Sequence, residues 1–272
     1  MKTLQKKEIH ERSFKEVQDN QENQLKILAI CGSPRKGNTY KVLKSIKATY
    51  PNIDIKIMRL SKMKLKSCEG NYKCVHDGEE HCPLKDDRDK IIEQMRAADG
   101  VIFASPVYMN FISALMKKLF ERIGYLSHRP CFYNKYAMVL SVCKGFGTKP
   151  ANEYMESIVN SFGFNVVTSL GLQYSTESEK EVIYNFKQMF DAFNTFTKGI
   201  EKGIKSQPTI ENLVMFNLFK YVSETYKDKF KADYAYYKDK TDYPYDGPIN
   251  VFKKMLAKRY VQKFAHDVAM HR

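Results

Sequence analysis

From Lys26 onward, short apolar runs alternate with longer stretches whose apolar residues fall three or four positions apart. "KILAIC" (26–31) is apolar after its first residue and runs into Gly32, the pattern of a buried strand. "NTYKVLKSIKATY" (38–50) spaces its apolar residues for one helical face. "IDIKIMRL" (53–60) alternates as a strand, and "DDRDKIIEQMRAAD" (86–99) opens with acids suited to a helix N-terminus. "GVIFAS" (100–105) is a third strand, followed by a helical "SALMKKLFERIGYL" (113–126). "KYAMVLSVC" (135–143) is a fourth strand, "ANEYMESIVNSFG" (151–163) a helix ending in Gly, and "NVVTSLGL" (165–172) a fifth strand. A long helix is predicted from about Ser178 to Gly203. Five strand-then-helix units predict a doubly wound α/β domain with a parallel sheet. Right-handed crossovers place the loops after strands 1, 3 and 4 at one carboxyl edge, where such sheets bind ligands.

That domain spans 25–204. Residues 1–24 mix acids and bases without an apolar segment, which predicts a mobile arm rather than an export signal. Residues 205–272 predict a helical extension. In it Met215, Leu218, Phe219, Val222 and Tyr226 form a helical stripe, expected to be buried by a helix over 209–230 at a subunit interface. "YAYYKDKTDYPYDGP" (234–248) predicts an aromatic, turn-rich connector. Residues 249–272 predict a further helix whose basic and apolar residues do not separate into faces, unlike a membrane-surface helix. The extension is too small for its own core and is expected to pack on the domain or on a partner subunit.

Composition narrows the classes. No stretch approaches the eighteen or so apolar residues of a membrane span. Six cysteines without an export signal point to a reducing cytoplasm rather than a disulfide framework. A formal charge of +14 raises the question of nucleic acid. The lysines are scattered, however, with no Arg-rich helix or nucleic-acid motif, which fits a solvated surface that also draws anionic cofactors.

Three loops carry chemistry. "CGSPRKGNT" (31–39) joins strand 1 to helix 1, with Gly32 and Gly37 for close backbone approach and Ser33, Asn38 and Thr39 as neutral donors. Arg35 adds charge, and the helix N-terminus adds bare N–H groups aimed at an anion. The spacing approaches a nucleotide-binding P-loop, but Asn38 stands where the phosphate-binding Lys belongs, and strand 3 ends without a magnesium-binding Asp. In "SPVYMNF" (105–111), Pro106 stiffens a turn, and Tyr108, Met109, Asn110 and Phe111 offer an apolar wall with polar edges that suits a planar ring. Core packing by Tyr108 and Phe111 is the plainer alternative. "SVCKGFGT" (141–148) brings two glycines and Lys144 to the same edge.

"GSPRKGNT" after strand 1, "SPVYMNFISALMKKLFERIGYL" after strand 3 and a cysteine-bearing loop before "DD" resemble the NAD(P)H-dependent FMN reductases, and among them the iron–sulfur flavoproteins. The resemblance covers about 25–204. It implies a flavodoxin-like fold with strand order 2-1-3-4-5 and FMN phosphate held by Ser33, Arg35, Gly37, Asn38 and Thr39. It also implies an isoalloxazine against Pro106, Val107, Tyr108, Met109, Asn110 and Phe111, with Gly145 near its other edge. The implied activity takes hydride from NAD(P)H to FMN and passes electrons to a quinone, azo compound, metal or protein, in a homodimer or homotetramer. No acid–base pair is evident, and His128 reads as a surface or interface residue. A flavodoxin-type carrier without catalysis is the rival reading; the basic charge favours an enzyme of anionic nucleotides.

"CEGNYKCVHDGEEHC" (68–82) remains. The iron–sulfur flavoproteins carry here C-x2-C-x2-C followed by a fourth cysteine. Cys68, Cys74 and Cys82 match three positions and Asn71 occupies the second. A four-iron cluster normally takes four thiolates, so a loop without a cluster is expected, shaping the site entrance and subunit contacts. Zinc held by the three cysteines with His76 or His81 is a further alternative.

Overall fold

The computed structural model describes residues 24–270. All but the last residue of the expected N-terminal arm lies outside them. Five parallel strands form the sheet: β1 (Lys26–Cys31), β2 (Asp54–Arg59), β3 (Gly100–Tyr108), β5 (Tyr136–Cys143) and β6 (Asn165–Gln173). Their order is β2-β1-β3-β5-β6, the predicted 2-1-3-4-5 once a short β4 (Phe111–Ile112) is numbered. β4 folds back antiparallel on the end of β3, pairing Tyr108 with Phe111.

The period-two alternation of the strands divides the core between two faces. Leu28 and Ile30, Val101 and Phe103, and Ala137 and Val139 point to one side. There they meet Ile91 and Met95 of α3 (Arg88–Ala97), Met116 and Leu119 of α4 (Ala114–Arg122), and Met155 and Val159 of α5 (Thr148–Ser161). Ile27 and Ala29, Ile102 and Ala104, and Met138 and Leu140 point to the other side. Val42 and Ile46 of α1 (Asn38–Thr49) cover them, with Met189, Phe193 and Phe196 of α6 (Glu179–Glu201). Both faces being covered explains why β1 and β5 read as unbroken apolar runs.

Helix boundaries follow local chemistry. Ser113 caps α4 by accepting the Met116 N–H, and Ser178 caps α6 by accepting that of Glu181. The expected helix over 113–126 ends at Arg122 and tightens into a 3-10 turn, Gly124–Ser127. Between β2 and α3 the cysteine loop carries one helical turn, α2 (Lys73–His76).

Beyond residue 204 the chain is helical: α7 (Ile210–Thr225), α8 (Lys231–Tyr237) and α9 (Val251–Met270). A reciprocal Thr209–Asn212 capping box starts α7. One expectation changes here. The connector predicted from 234 is helical through Tyr237, because Tyr236 and Tyr237 send their hydroxyls to the carbonyls of Pro130 and His128 and anchor the turn. The stripe from Met215 to Tyr226 is half-buried within the chain except at Met215, and Phe219 in it packs on His128. α7 buries Leu213, Phe216 and Ser223 fully, with Phe216 edge-on to Tyr237, and leaves Met215 exposed.

Candidate functional site

The carboxyl ends of β1, β3 and β5 open into a cavity of about 380 Å³. Ser33, Arg35, Gly37, Asn38 and Thr39 line one side, and Pro106, Val107 and Tyr108 the other. Eight of the twelve predicted residues therefore share one cavity. Lys144, expected at this edge, lines it too, and Val142, Cys143 and Glu177 complete the lining without having been singled out.

Gly32 sets the loop after β1. Its N–H donates to the Ala104 carbonyl at 2.8 Å, and its own carbonyl accepts the Ser113 hydroxyl at 2.8 Å. A Cβ there would lie 2.9 Å from Ser113 Oγ and 3.1 Å from Met116 Cβ, so only glycine lets the loop sit against the start of α4. Ser33 is buried and donates to the Arg35 carbonyl at 2.8 Å, folding the loop back on itself. α1 then begins at Asn38 with no side chain capping its N-terminus and no acid in its first turn. Its leading N–H groups are left for a ligand, which is the arrangement an anion needs.

The opposite wall is rigid for a different reason. Met109 and Asn110 both have positive φ (48° and 62°) and form the two-residue turn of the β3–β4 hairpin. That geometry swings them off the cavity, and Met109 is 97 % exposed. Phe111 packs on Tyr154 with ring centres 4.7 Å apart. Gly145 lies on the exposed loop after β5, where a side chain would meet nothing within 4 Å. Its neighbour Gly147 is the tightly placed glycine: φ is +99°, and a Cβ would lie 3.0 Å from Asn110 Cα and from Val107. The loops after β3 and β5 therefore meet at Gly147.

Glu177 reaches the cavity from the loop between β6 and α6. Its carboxylate lies 3.5 Å from the Asn38 amide and 3.4 Å from Lys144 Nζ. These two groups hold its carboxyl below the usual range. Nothing local marks Glu177 in the sequence, since its partner Asn38 lies 139 positions away.

The cysteine loop is braced by three arginines. Arg122 donates to both oxygens of the buried Asp86 at 3.0 Å and approaches Cys82 Sγ at 3.5 Å. Burial pushes the Cys82 thiol up, but the Leu84 N–H and the Arg122 guanidinium outweigh it and hold it below its ordinary value. Cys68 is exposed, Cys74 half-buried and Cys82 buried. Among the described residues, no three of His, Cys, Asp and Glu are placed to hold a metal ion together. Asn71 spends its amide oxygen on the Lys73 N–H at 3.2 Å.

A doubly wound sheet with an uncapped helix N-terminus and a flat wall at its carboxyl edge defines a nucleotide-binding α/β protein. Comparison with known proteins sharpens this: residues 25–177 match the NADPH-dependent FMN reductase family, and the chain belongs to it. Among curated relatives it is similar to an iron-sulfur flavoprotein of Archaeoglobus fulgidus, 28% identical over 79% of this chain and 99% of that one. It is also similar to an iron-sulfur flavoprotein of Methanosarcina thermophila, 36% identical over 43% of this chain and 63% of that one. Among solved structures, a flavone reductase aligns at 13% identity and TM-score 0.48 over 65% of this chain and 63% of that one. An azoreductase from Bacillus anthracis aligns at 17% identity and TM-score 0.44 over 71% of this chain and all of that one. Membership of that family makes the chain a flavoprotein oxidoreductase.

Proposed function

We propose that the chain is an FMN-dependent NAD(P)H oxidoreductase whose FMN-binding unit is 25–204, with 205–272 as an extension. The observation that carries this reading is the uncapped start of α1 facing, across one cavity, the wall at Pro106–Tyr108. Ser33, Asn38 and Thr39, with the first N–H groups of α1, would hold the phosphate, and Arg35 would neutralise it. Pro106, Val107 and Tyr108 would bear the ring, with Val142 and Cys143 below it. FMN, when bound, supplies hydride and electron transfer, so the protein need only bind, orient and exclude water. The cavity lining accordingly offers Glu177 as its carboxylate but no histidine beside it.

Lys144 is exposed at the mouth and suits a phosphate of a nicotinamide nucleotide. A quinone or azo compound is the acceptor class that an open, flat-walled cavity admits. Among the described residues no helix is long and apolar enough to cross a membrane, and the cysteines are free, which supports a cytoplasmic setting. Met109, Phe146, Val182, Ile183 and Phe186 are exposed apolar side chains on the loops of this edge and the adjoining start of α6. They support a homodimer or homotetramer.

Two measurements test the reading: the visible spectrum of purified protein titrated with FMN, and NADH or NADPH oxidation with a quinone acceptor. Flavin uptake with steady nicotinamide oxidation supports it. A protein that takes up no FMN refutes it, and one that binds FMN but turns over neither nicotinamide is the flavodoxin-type carrier.

A further inference from the structure

The second half of the cysteine loop, from Cys74, is held by arginines. Arg129 donates to the Cys74 carbonyl at 2.6 Å, the Val75 carbonyl at 3.4 Å and the Glu79 carboxylate at 2.9 Å. Arg88 donates to the Glu79 carbonyl at 2.8 Å, and Arg122 to the Leu84 carbonyl at 3.2 Å as well as to Asp86. The guanidinium groups of Arg88 and Arg129 both lie over the Tyr125 ring, at 5.6 and 5.3 Å, which fixes them relative to each other. A structural metal stabilises a loop by cross-linking side chains that would otherwise be free. Here the cross-links run instead from buried guanidinium forks to backbone carbonyls.

The donor set argues the same way. Three thiols and an amide replace the four thiolates of a four-iron cluster, and the amide already serves a backbone N–H. Cys131 is no substitute: its thiol lies against Arg96, and its N–H is bonded to the Phe162 carbonyl.

Arg129 also reaches out of the loop. The same nitrogen that reaches Val75 pairs with Asp233 of α8, whose second oxygen lies 2.8 Å from His128 Nδ1. His128 in turn stacks on Phe219 of α7 with ring centres 3.9 Å apart, and Phe230 meets His76 of the loop edge-on. Loop and helical extension therefore share one buried charged centre.

We infer that residues 68–82 form a metal-independent clamp in which Arg88, Arg122 and Arg129 replace a cluster, fastening α8 to the nucleotide-binding domain through Asp233. The inference goes beyond the flavin reading and is tested on the FMN-loaded full chain, purified anaerobically. Iron and acid-labile sulfide should be far below stoichiometric, and hydrogen exchange over 72–82 should be slow and unchanged by a chelator. Asp233→Asn should speed exchange by ~10-fold both in α8 and in 72–82 while FMN stays bound. Arg129→Lys, which keeps the charge but loses the fork, should loosen 72–82 even if Asp233→Asn does not fold. Stoichiometric iron and sulfide, loss of protection on chelation, or loosening confined to α8 would each overturn the clamp.

Discussion

His128 and Asp233, 105 positions apart in the chain, meet at 2.8 Å behind the cysteine loop. Asp233 is 2 % exposed and carries Arg129 on its other oxygen. Removing this carboxylate leaves a buried guanidinium with Glu79 as its remaining acid. We predict that Asp233→Ala costs about 3 kcal/mol, the low end for breaking a buried ion pair. Urea unfolding followed by circular dichroism reads the loss. A cost below about 1 kcal/mol, the scale of an exposed pair, would mean that water replaces the carboxylate.

Asp86 gives a pH dependence with a definite sign. Burial alone would raise its carboxyl, but Arg122 and the N–H groups of Lys66 and Arg88 outweigh burial and hold it below the usual range. A carboxyl depressed in the folded state contributes stability above its unfolded value, about 3.9, and loses it as pH falls through the folded value. Unfolding free energy should therefore decline as pH drops below about 4. Asp86→Asn should be less stable at neutral pH and show a shallower acid slope; an identical slope counts against the pair.

The phosphate site predicts a selective defect. Asn38→Ala with Thr39→Ala should weaken FMN binding by about 1–3 kcal/mol if two buried donors serve the phosphate. Riboflavin, which lacks the phosphate, should bind wild type and variant alike. Flavin fluorescence quenching measures both, and equal losses for the two ligands would place the phosphate elsewhere.

Glu177 occupies one of these donors, the Asn38 amide, with its own negative charge. We predict that Glu177→Gln binds FMN more tightly, and that the gain shrinks as salt is added, since exposed charges are screened. Unchanged affinity at low salt would show that the carboxylate swings clear when flavin enters.

Gly147 joins two walls of the site at a φ of +99°. Alanine there should cost about 1–2 kcal/mol from the left-handed backbone alone. Its Cβ would also press on Asn110 and Val107 and loosen FMN binding. Gly145→Ala, facing open space, should leave stability unchanged; a matching loss at both positions would refute this distinction.

Much of this architecture could be read from residue order. The strands were legible because both faces of the sheet are covered, which forces unbroken apolar runs such as those of β1 and β5. The anion loop was legible because its donors are consecutive. The hairpin turn at Met109 and Asn110 was not legible because Met-Asn lacks the glycine that usually announces a two-residue turn. On α7, Leu213 and Phe216 form a second apolar face beside the Met215–Tyr226 stripe, and Tyr237 packs on it. No local rule chooses between two apolar faces of one helix. Glu177 and Asp233 act on residues more than a hundred positions away, so only the folded chain reveals them.

The arginine bracing of residues 68–82 has a consequence for life in air. Iron–sulfur clusters are dismantled by dioxygen, and a loop that depends on one loses its shape with it. Guanidinium-to-carbonyl bonds have no such weakness. Among the loop's thiols, Cys82 is buried under Arg122 and only Cys68 stands fully in solvent. Aeration should therefore mark this segment at Cys68, as sulfenic acid or a mixed disulfide, while the hold of α8 on the domain survives.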